Sequence, residues 1–211
     1  MVGVGELING LCVGKLLRLA VLWLRVGGVW LRVLLVYGSR WGGTVGVAEK
    51  IADALRKADC AVDVVEPKKS PTNVDAYDLV IVGSGIRADK WTKETLKFLE
   101  KNANVLRRKK TALFVSCQMA DREKEAREKA KNAYLLKISE QYGLNPVSYG
   151  FFGGFMDFKK SHGLLVDIIV RVNGRNLRKN GLDTKRVHDT RDWAKIEAWA
   201  NEVADAMLEK H

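Results

Sequence analysis

Apolar residues follow two rhythms along this chain. One is the unbroken run of a strand buried on both faces; the other is the recurrence of an amphipathic helix at every third or fourth residue. "LRVLLVYG" (Leu31 to Gly38) is a run of the first kind and predicts a strand. From Thr44 to Lys57, Val47, Ile51, Ala54 and Leu55 recur at helical spacing. "AVDVVE" (Ala61 to Glu66), "YDLVIVGSG" (Tyr77 to Gly85), "KTALFVSC" (Lys110 to Cys117) and "PVSYGFFGG" (Pro146 to Gly154) predict further strands. Helices are predicted over Lys93 to Leu106, over Asp121 to Gly143 with those two residues as caps, and over Thr190 to Lys210 with Thr190 or Asp189 as N-cap. "PKKSPTN", punctuated by two prolines, is a loop.

Strands alternating with helices argue for an α/β domain, a parallel sheet covered on both faces. Two stretches stand outside that count. The interval 155–189 holds an apolar piece, "HGLLVDIIVRV", then a basic one, "NGRNLRKNG". It reads as a helix and loop inserted before the last helix. In the interval 1–30, "KLLRLAVLWLR" (Lys15 to Arg25) is interrupted by Arg18 and is shorter than the roughly 20 apolar residues of a membrane span. Lys15, Arg18 and Arg25 share one helical face, with Leu16, Leu19, Ala20 and Trp23 on the other. That pattern fits a basic amphipathic helix lying on a membrane. A start site set too far upstream is the competing reading, since folds of this kind begin at the first strand; a secretory signal is weaker, for want of a small-residue cleavage site. The organisation expected is an extension, 1–30, and one domain, 31–211.

Composition narrows the classes. A hydrophobic content of 47% in 211 residues supports a packed core and argues against global disorder. The formal net charge of +11 favours anionic partners, whether nucleic acid, acidic membrane surface or small polyanion, though plain solubility explains it equally well. Cys12, Cys60 and Cys117 lie far apart with no C-x-x-C pair, and His162, His188 and His211 do not cluster. No disulfide framework and no metal site are expected, and a cytoplasmic location fits.

In such a sheet ligands sit beyond the carboxyl ends of the strands. Three loops follow strands there: "GSRWGGT", "GSGIRADKW" and "SCQMAD". The first runs straight into a helix, whose unpaired N–H groups and positive dipole end attract a phosphate. Gly42 and Gly43 let the chain curl around an anion, Ser39 and Thr44 add hydroxyl donors, and Arg40 adds charge or points to solvent. An ATP-binding P-loop is excluded, because no lysine follows Gly42 or Gly43. "GSGIRA" (Gly83 to Ala88) satisfies G-x-G-x-x-A formally, but helical periodicity starts only after it. A receiver domain wants an aspartate where Gly83 stands, and the serine-hydrolase elbow G-x-S-x-G is absent.

"YGSRWGGT" resembles the phosphate loop of flavodoxins, with Trp41 in place of the usual threonine. "DLVIVGSGIR" and "LFVSC" are similar to that superfamily's third and fourth strands with their flavin loops. The tail "GLDTKRVHDTRDWAKIEAWANEVA", with the insertion, resembles the menaquinone-dependent protoporphyrinogen oxidase branch. The resemblance runs from Leu31 to the C-terminus. It implies a five-stranded sheet of order 2-1-3-4-5 and one non-covalent FMN. It places Ser39, Arg40, Trp41, Gly42, Gly43 and Thr44 in the phosphate loop, and Ser84, Gly85, Ile86 and Arg87 beside the flavin ring. Ser116, Cys117, Gln118 and Met119 fall in the third loop. Trp91 is the candidate for stacking on the ring, against a core role in the following helix; Cys117 either touches the flavin or is a small buried thiol.

The same resemblance implies an FMN-dependent oxidoreductase of porphyrin biosynthesis. Its partners would be a tetrapyrrole and a menaquinone-type acceptor, with peripheral contact at the inner face of the cell membrane. The chain's basic charge and long insertion depart from acidic electron-carrier flavodoxins and favour that branch. Cations from Lys159 to Arg186 would neutralise substrate propionates or face lipid phosphates, and Phe155 and Phe158 would line an apolar slot beside the flavin. A flavodoxin-like carrier serving a redox protein, and an FMN-dependent quinone reductase, are the alternatives. A nucleic-acid role rests on charge alone, with no recognition motif behind it.

Overall fold

A computed structural model of the chain describes residues 31–69, 73–157 and 187–208. The expectations for 1–30, for the inserted helix and for the basic stretch before Val187 lie outside the described residues.

Strands β1 (Leu31–Gly38), β2 (Cys60–Val65), β3 (Leu79–Gly85), β4 (Lys110–Ser116) and β5 (Ser148–Phe152) form one parallel sheet in the order β2-β1-β3-β4-β5. Alternate residues of the apolar runs feed opposite faces, as the period of a strand requires. Val33, Leu35, Leu79, Ile81 and Phe114 pack against helices α1 (Gly43–Lys57) and α5 (Trp193–Leu208). Leu34, Val36, Val80, Val82, Leu113 and Val115 pack on the other face, against α2 (Lys93–Leu106) and a long helix over 124–142. Val47, Ile51 and Leu55 of α1 are completely buried, and each stabilises the fold by about 1.5–3 kcal/mol.

The long helix begins later than expected. After β4 the chain first makes a 3-10 turn, Gln118–Asp121, so Asp121 caps nothing and α3 starts at Lys124 (Lys124–Lys131). A π-turn, Asn132–Leu136, joins it to α4 (Lys137–Tyr142), which ends at left-handed Gly143 as expected. The last helix also starts late, at Trp193. Its N-cap is Asp192, whose Oδ1 accepts the Lys195 N–H at 3.1 Å. Thr190 and Asp189 are occupied elsewhere.

One feature has no counterpart in the sequence pattern. β6 (Phe155–Asp157) and β7 (Val187–Asp189) pair antiparallel at the two ends of the insertion. Each is too short to show periodicity, and their partners are remote in sequence.

The register positions the loops. Gly38 lies opposite Ser84, Gly85 opposite Ser116, and Ser116 opposite Phe152. The carboxyl ends of β1, β3, β4 and β5 therefore stand in a row. The chain winds outward from β1 to β2 and then, from β3 on, in the opposite direction across the sheet, so the strand order switches between β1 and β3 and opens a crevice there.

Candidate functional site

A cleft of about 460 Å³, counting its open mouth, lies over that row of strand ends. The loop after β1 and the start of α1 supply Ser39, Arg40, Trp41, Gly43 and Thr44; the end of β3 and the loop after it supply Gly85, Ile86 and Arg87; the end of β4 and the loop after it supply Ser116, Cys117 and Gln118. Gly154, Phe155 and Met156, beyond β5, close the fourth side.

The first wall is shaped for an anion. Gly42 caps α1 in the left-handed region, φ 79°, and offers no side-chain acceptor to the helix. The first turn of α1 carries no acidic residue. Its leading amides therefore need an acceptor from outside the helix. Ser39 Oγ is buried and has no hydrogen-bond partner among the described residues; the same holds for Gln118 Nε2 of the third loop. Buried polar atoms are normally paired, so two orphans on the loops of one cleft point to a bound group. Thr44 is buried in the same wall.

The second wall is a tight turn. Arg87 and Lys90 exchange backbone hydrogen bonds at 3.0 and 3.1 Å, with Ala88 and Asp89 between them at φ 47° and 56°. Two non-glycine residues in the left-handed region store strain, which surrounding contacts must hold. The Tyr134 hydroxyl donates to the exposed Asp89, and the Trp91 indole N–H donates to the Tyr134 carbonyl at 2.7 Å. Burial, then Asp89, pushes the Tyr134 hydroxyl above its usual 10.0. At the mouth, the exposed Arg87 guanidinium lies 5.5 Å from the Trp41 ring centroid.

The third wall is fixed by backbone bonds. The Cys117 N–H donates to the Phe152 carbonyl at 3.0 Å, and the Ile86 N–H to Ser116 at 3.3 Å. The Ser116 hydroxyl donates to the Gly153 carbonyl at 2.8 Å. Burial pushes the Cys117 thiol up to about 11, so it is neutral at physiological pH.

Four residues read as site residues do not line the cleft. Gly42 forms its exposed lip. Ser84 lies completely buried behind it, accepting the Thr92 N–H at 2.9 Å. Met119 packs against the second core. Trp91 is a core residue too; its ring belongs to the same cluster and its N–H is spent on Tyr134. The geometry gives Trp91 no stacking position, and its core role is the one the structure displays. Of the residues that close the fourth side, Phe155 is the one the sequence points to; Gly154 and Met156 carry no pattern that marks them. Among the described residues, no group of three or more His, Cys, Asp or Glu stands close enough to hold a metal. No described helix is long and apolar enough to cross a membrane.

A model of the flavodoxin domain matches residues 34–169. The chain belongs to the flavodoxin-domain family. A protoporphyrinogen IX dehydrogenase [quinone] of Escherichia coli (strain K12) is 22% identical over 178 residues, spanning 82% of this chain and 95% of the relative. Among solved structures, flavodoxin 1 of Bacillus cereus has a TM-score of 0.50 at 18% identity, over 82% of this chain and 97% of that one. A flavodoxin of Streptococcus pneumonia TIGR4 reaches 0.53 at 17% identity, over 85% and 99%. These likenesses establish the flavodoxin-like fold.

Proposed function

We propose that this flavodoxin domain is an FMN-dependent oxidoreductase of the protoporphyrinogen IX dehydrogenase (quinone) type. The observation that carries the cofactor reading is the orphaned, buried Ser39 Oγ beside an α1 start that lacks both a side-chain cap and an acidic first turn. The residues present fit FMN. Ser39, Thr44 and the leading amides of α1 would hold its phosphate. The third loop would border the ring, with the unpaired Gln118 amide available to a ring acceptor. Trp41, Ile86, Phe155 and Met156 give the cleft apolar walls suited to a flat ring and to excluding water.

When bound, FMN supplies a ring that accepts and returns two electrons; this chain's residues bind, orient and shield. Cys117 stays a neutral thiol and serves as neither base nor nucleophile. Arg40 and Arg87, both exposed at the rim, offer counter-charges to an anionic substrate, as a tetrapyrrole with propionate arms requires. The Escherichia coli relative, matched over most of both chains, supports that substrate and a quinone acceptor. A cationic surface also suits transient contact with an acidic membrane, where such an acceptor resides.

The test is direct. Purified protein should be yellow and should take up FMN. With menaquinone it should oxidise protoporphyrinogen above the air-oxidation background. Colourless, well-folded protein that refuses FMN overturns the cofactor reading. Flavin-loaded protein that leaves protoporphyrinogen untouched, yet exchanges electrons rapidly with a ferredoxin-type partner or reduces quinone from NAD(P)H, overturns the substrate reading alone.

A further inference from the structure

Arg191 lies outside the cleft, yet it touches two of the cleft's walls. Its Nη1 donates to the carbonyl of Gly43 at 3.2 Å, across 148 residues of chain. Its guanidinium carbon lies 4.7 Å from the Phe155 ring centroid and 4.6 Å from that of Trp193, so the group is stacked among two aromatic rings. Nε and Nη2 donate to Asp189 at 2.8 and 2.6 Å, a fork-to-fork pair that fixes the plane of the guanidinium. The side chain is only 12% exposed, against 38% for Asp189. Gly46, in the first turn of α1, makes room for it: a Cβ there would stand 3.1 Å from Nη1.

The guanidinium is not a bare cation beside the α1 start: Asp189 pairs with it through two hydrogen bonds and the Gly43 carbonyl accepts from Nη1, so what it brings to the helix start is fixed geometry. Thr190, the preceding residue, exchanges backbone and hydroxyl hydrogen bonds with Gly154 at 3.0 and 3.1 Å. The segment 189–191 is therefore bolted to the fourth wall at one end and to the α1 start at the other.

We propose that Arg191 is a positioning residue for the anion cradle. It holds Gly43 and Phe155 at their mutual spacing and so keeps the leading amides of α1 aimed at the place that receives the phosphate. The inference rests on the FMN reading and deepens it, because it assigns the phosphate's affinity partly to a residue that never touches the ligand.

The experiment compares two ligands that differ only in the phosphate, FMN and riboflavin, titrated into apoprotein by flavin-fluorescence quenching. In Arg191→Gln the FMN affinity should fall about tenfold, as expected when the amides that meet a charged phosphate lose their alignment, and the FMN-to-riboflavin affinity ratio should fall with it. Arg191→Lys keeps the charge but not the fork, and its ratio should lie between wild type and Arg191→Gln. Amide exchange in the apoprotein should quicken at Gly43 to Gly46 in Arg191→Gln, with the β1 and β3 amides unchanged. An unchanged ratio, or equal losses for both ligands, overturns the proposal while leaving the FMN reading intact. Wild-type protein that binds neither ligand overturns both. If Arg191→Gln fails to fold, the Arg191→Lys ratio decides: a value equal to wild type refutes the role of the fork.

Discussion

Gly43 and Phe155 press together so closely that a Cβ on Gly43 would stand 2.9 Å from the Phe155 Cβ and 3.2 Å from its carbonyl oxygen. The obstacle is backbone and the root of a side chain, neither of which can swing away. Gly43→Ala must therefore push the helix start and the fourth wall apart. Overpacking of this kind costs about 1–3 kcal/mol. The expected outcome is a lower melting temperature together with FMN affinity reduced about tenfold, read by calorimetry and titration. Wild-type affinity in Gly43→Ala would mean that the wall yields without reaching the ligand.

Gly42 is sensitive for a different reason. A Cβ there meets nothing within 4 Å, so bulk is harmless, but φ is +79°. The penalty is conformational, about 1–2 kcal/mol for most residues and less for asparagine, which tolerates this region. Gly42→Asn should keep more FMN affinity than Gly42→Ala, although asparagine is the larger residue. The reverse order in side-by-side titrations would show that space, not backbone conformation, governs this turn.

How much of this was legible in the sequence follows from the range over which each signal acts. The strands of the sheet could be read because apolar runs such as "LRVLLVYG" are local patterns, whereas the strand order came only from the resemblance to flavodoxins. Neither Thr190 nor Asp189 caps the last helix, because capping preference is local and remote or neighbouring contacts claim both: Thr190 is spent on Gly154 and Asp189 on Arg191, while Asp121 ends a 3-10 turn instead of starting a helix. Trp91 could not be placed by spacing alone. Its neighbour Tyr134 comes from a helix 43 residues away, and only the fold shows that the indole N–H is already used. The contact of Arg191 with Gly43 was invisible, since no pattern joins the two across 148 residues.

Trp91→Phe tests the core role. The substitution removes the hydrogen bond to the Tyr134 carbonyl, a loss of about 0.5–1.5 kcal/mol. Stability should fall by that order, measured by urea unfolding. The bound flavin's visible spectrum and affinity should stay within about twofold of wild type, the reading expected of a side chain outside the cleft. A shifted flavin spectrum would return Trp91 to the ring.

The Arg191–Asp189 pair gives a pH signature. Hydrogen bonding to Arg191 holds the Asp189 carboxyl below its usual 3.8 in the folded protein. In the unfolded chain the carboxyl binds a proton more readily, so folding favours its ionised form. The stabilisation is complete above 3.8 and is lost as pH falls through the lower folded value. The stability gap between wild type and Asp189→Asn should therefore be constant from neutral pH down to about 5 and should close only in stronger acid. A gap that closes between pH 7 and 5 would assign it to a group other than this carboxylate.

Cys117 lines the cleft and looks, by position, like a reactive thiol. Its environment says otherwise. Burial is the largest influence on it and raises the thiol from 9.0 to about 11, only partly offset by hydrogen bonds from the Met119 and Ala120 backbone. Only the thiolate attacks an electrophile, so at pH 8 the reactive fraction is about 0.1%, against roughly 10% for a thiol titrating at 9.0. Native apoprotein should thus label at Cys117 at least about 100-fold more slowly with iodoacetamide than urea-unfolded protein, with burial slowing it further. The rate should climb tenfold per pH unit until the pH approaches 11. Mapping the Cys117 peptide by mass spectrometry separates this site from Cys12 and Cys60. Rapid labelling of the native protein at pH 8 would show a thiolate stabilised in the cleft, and a group there able to take part in chemistry.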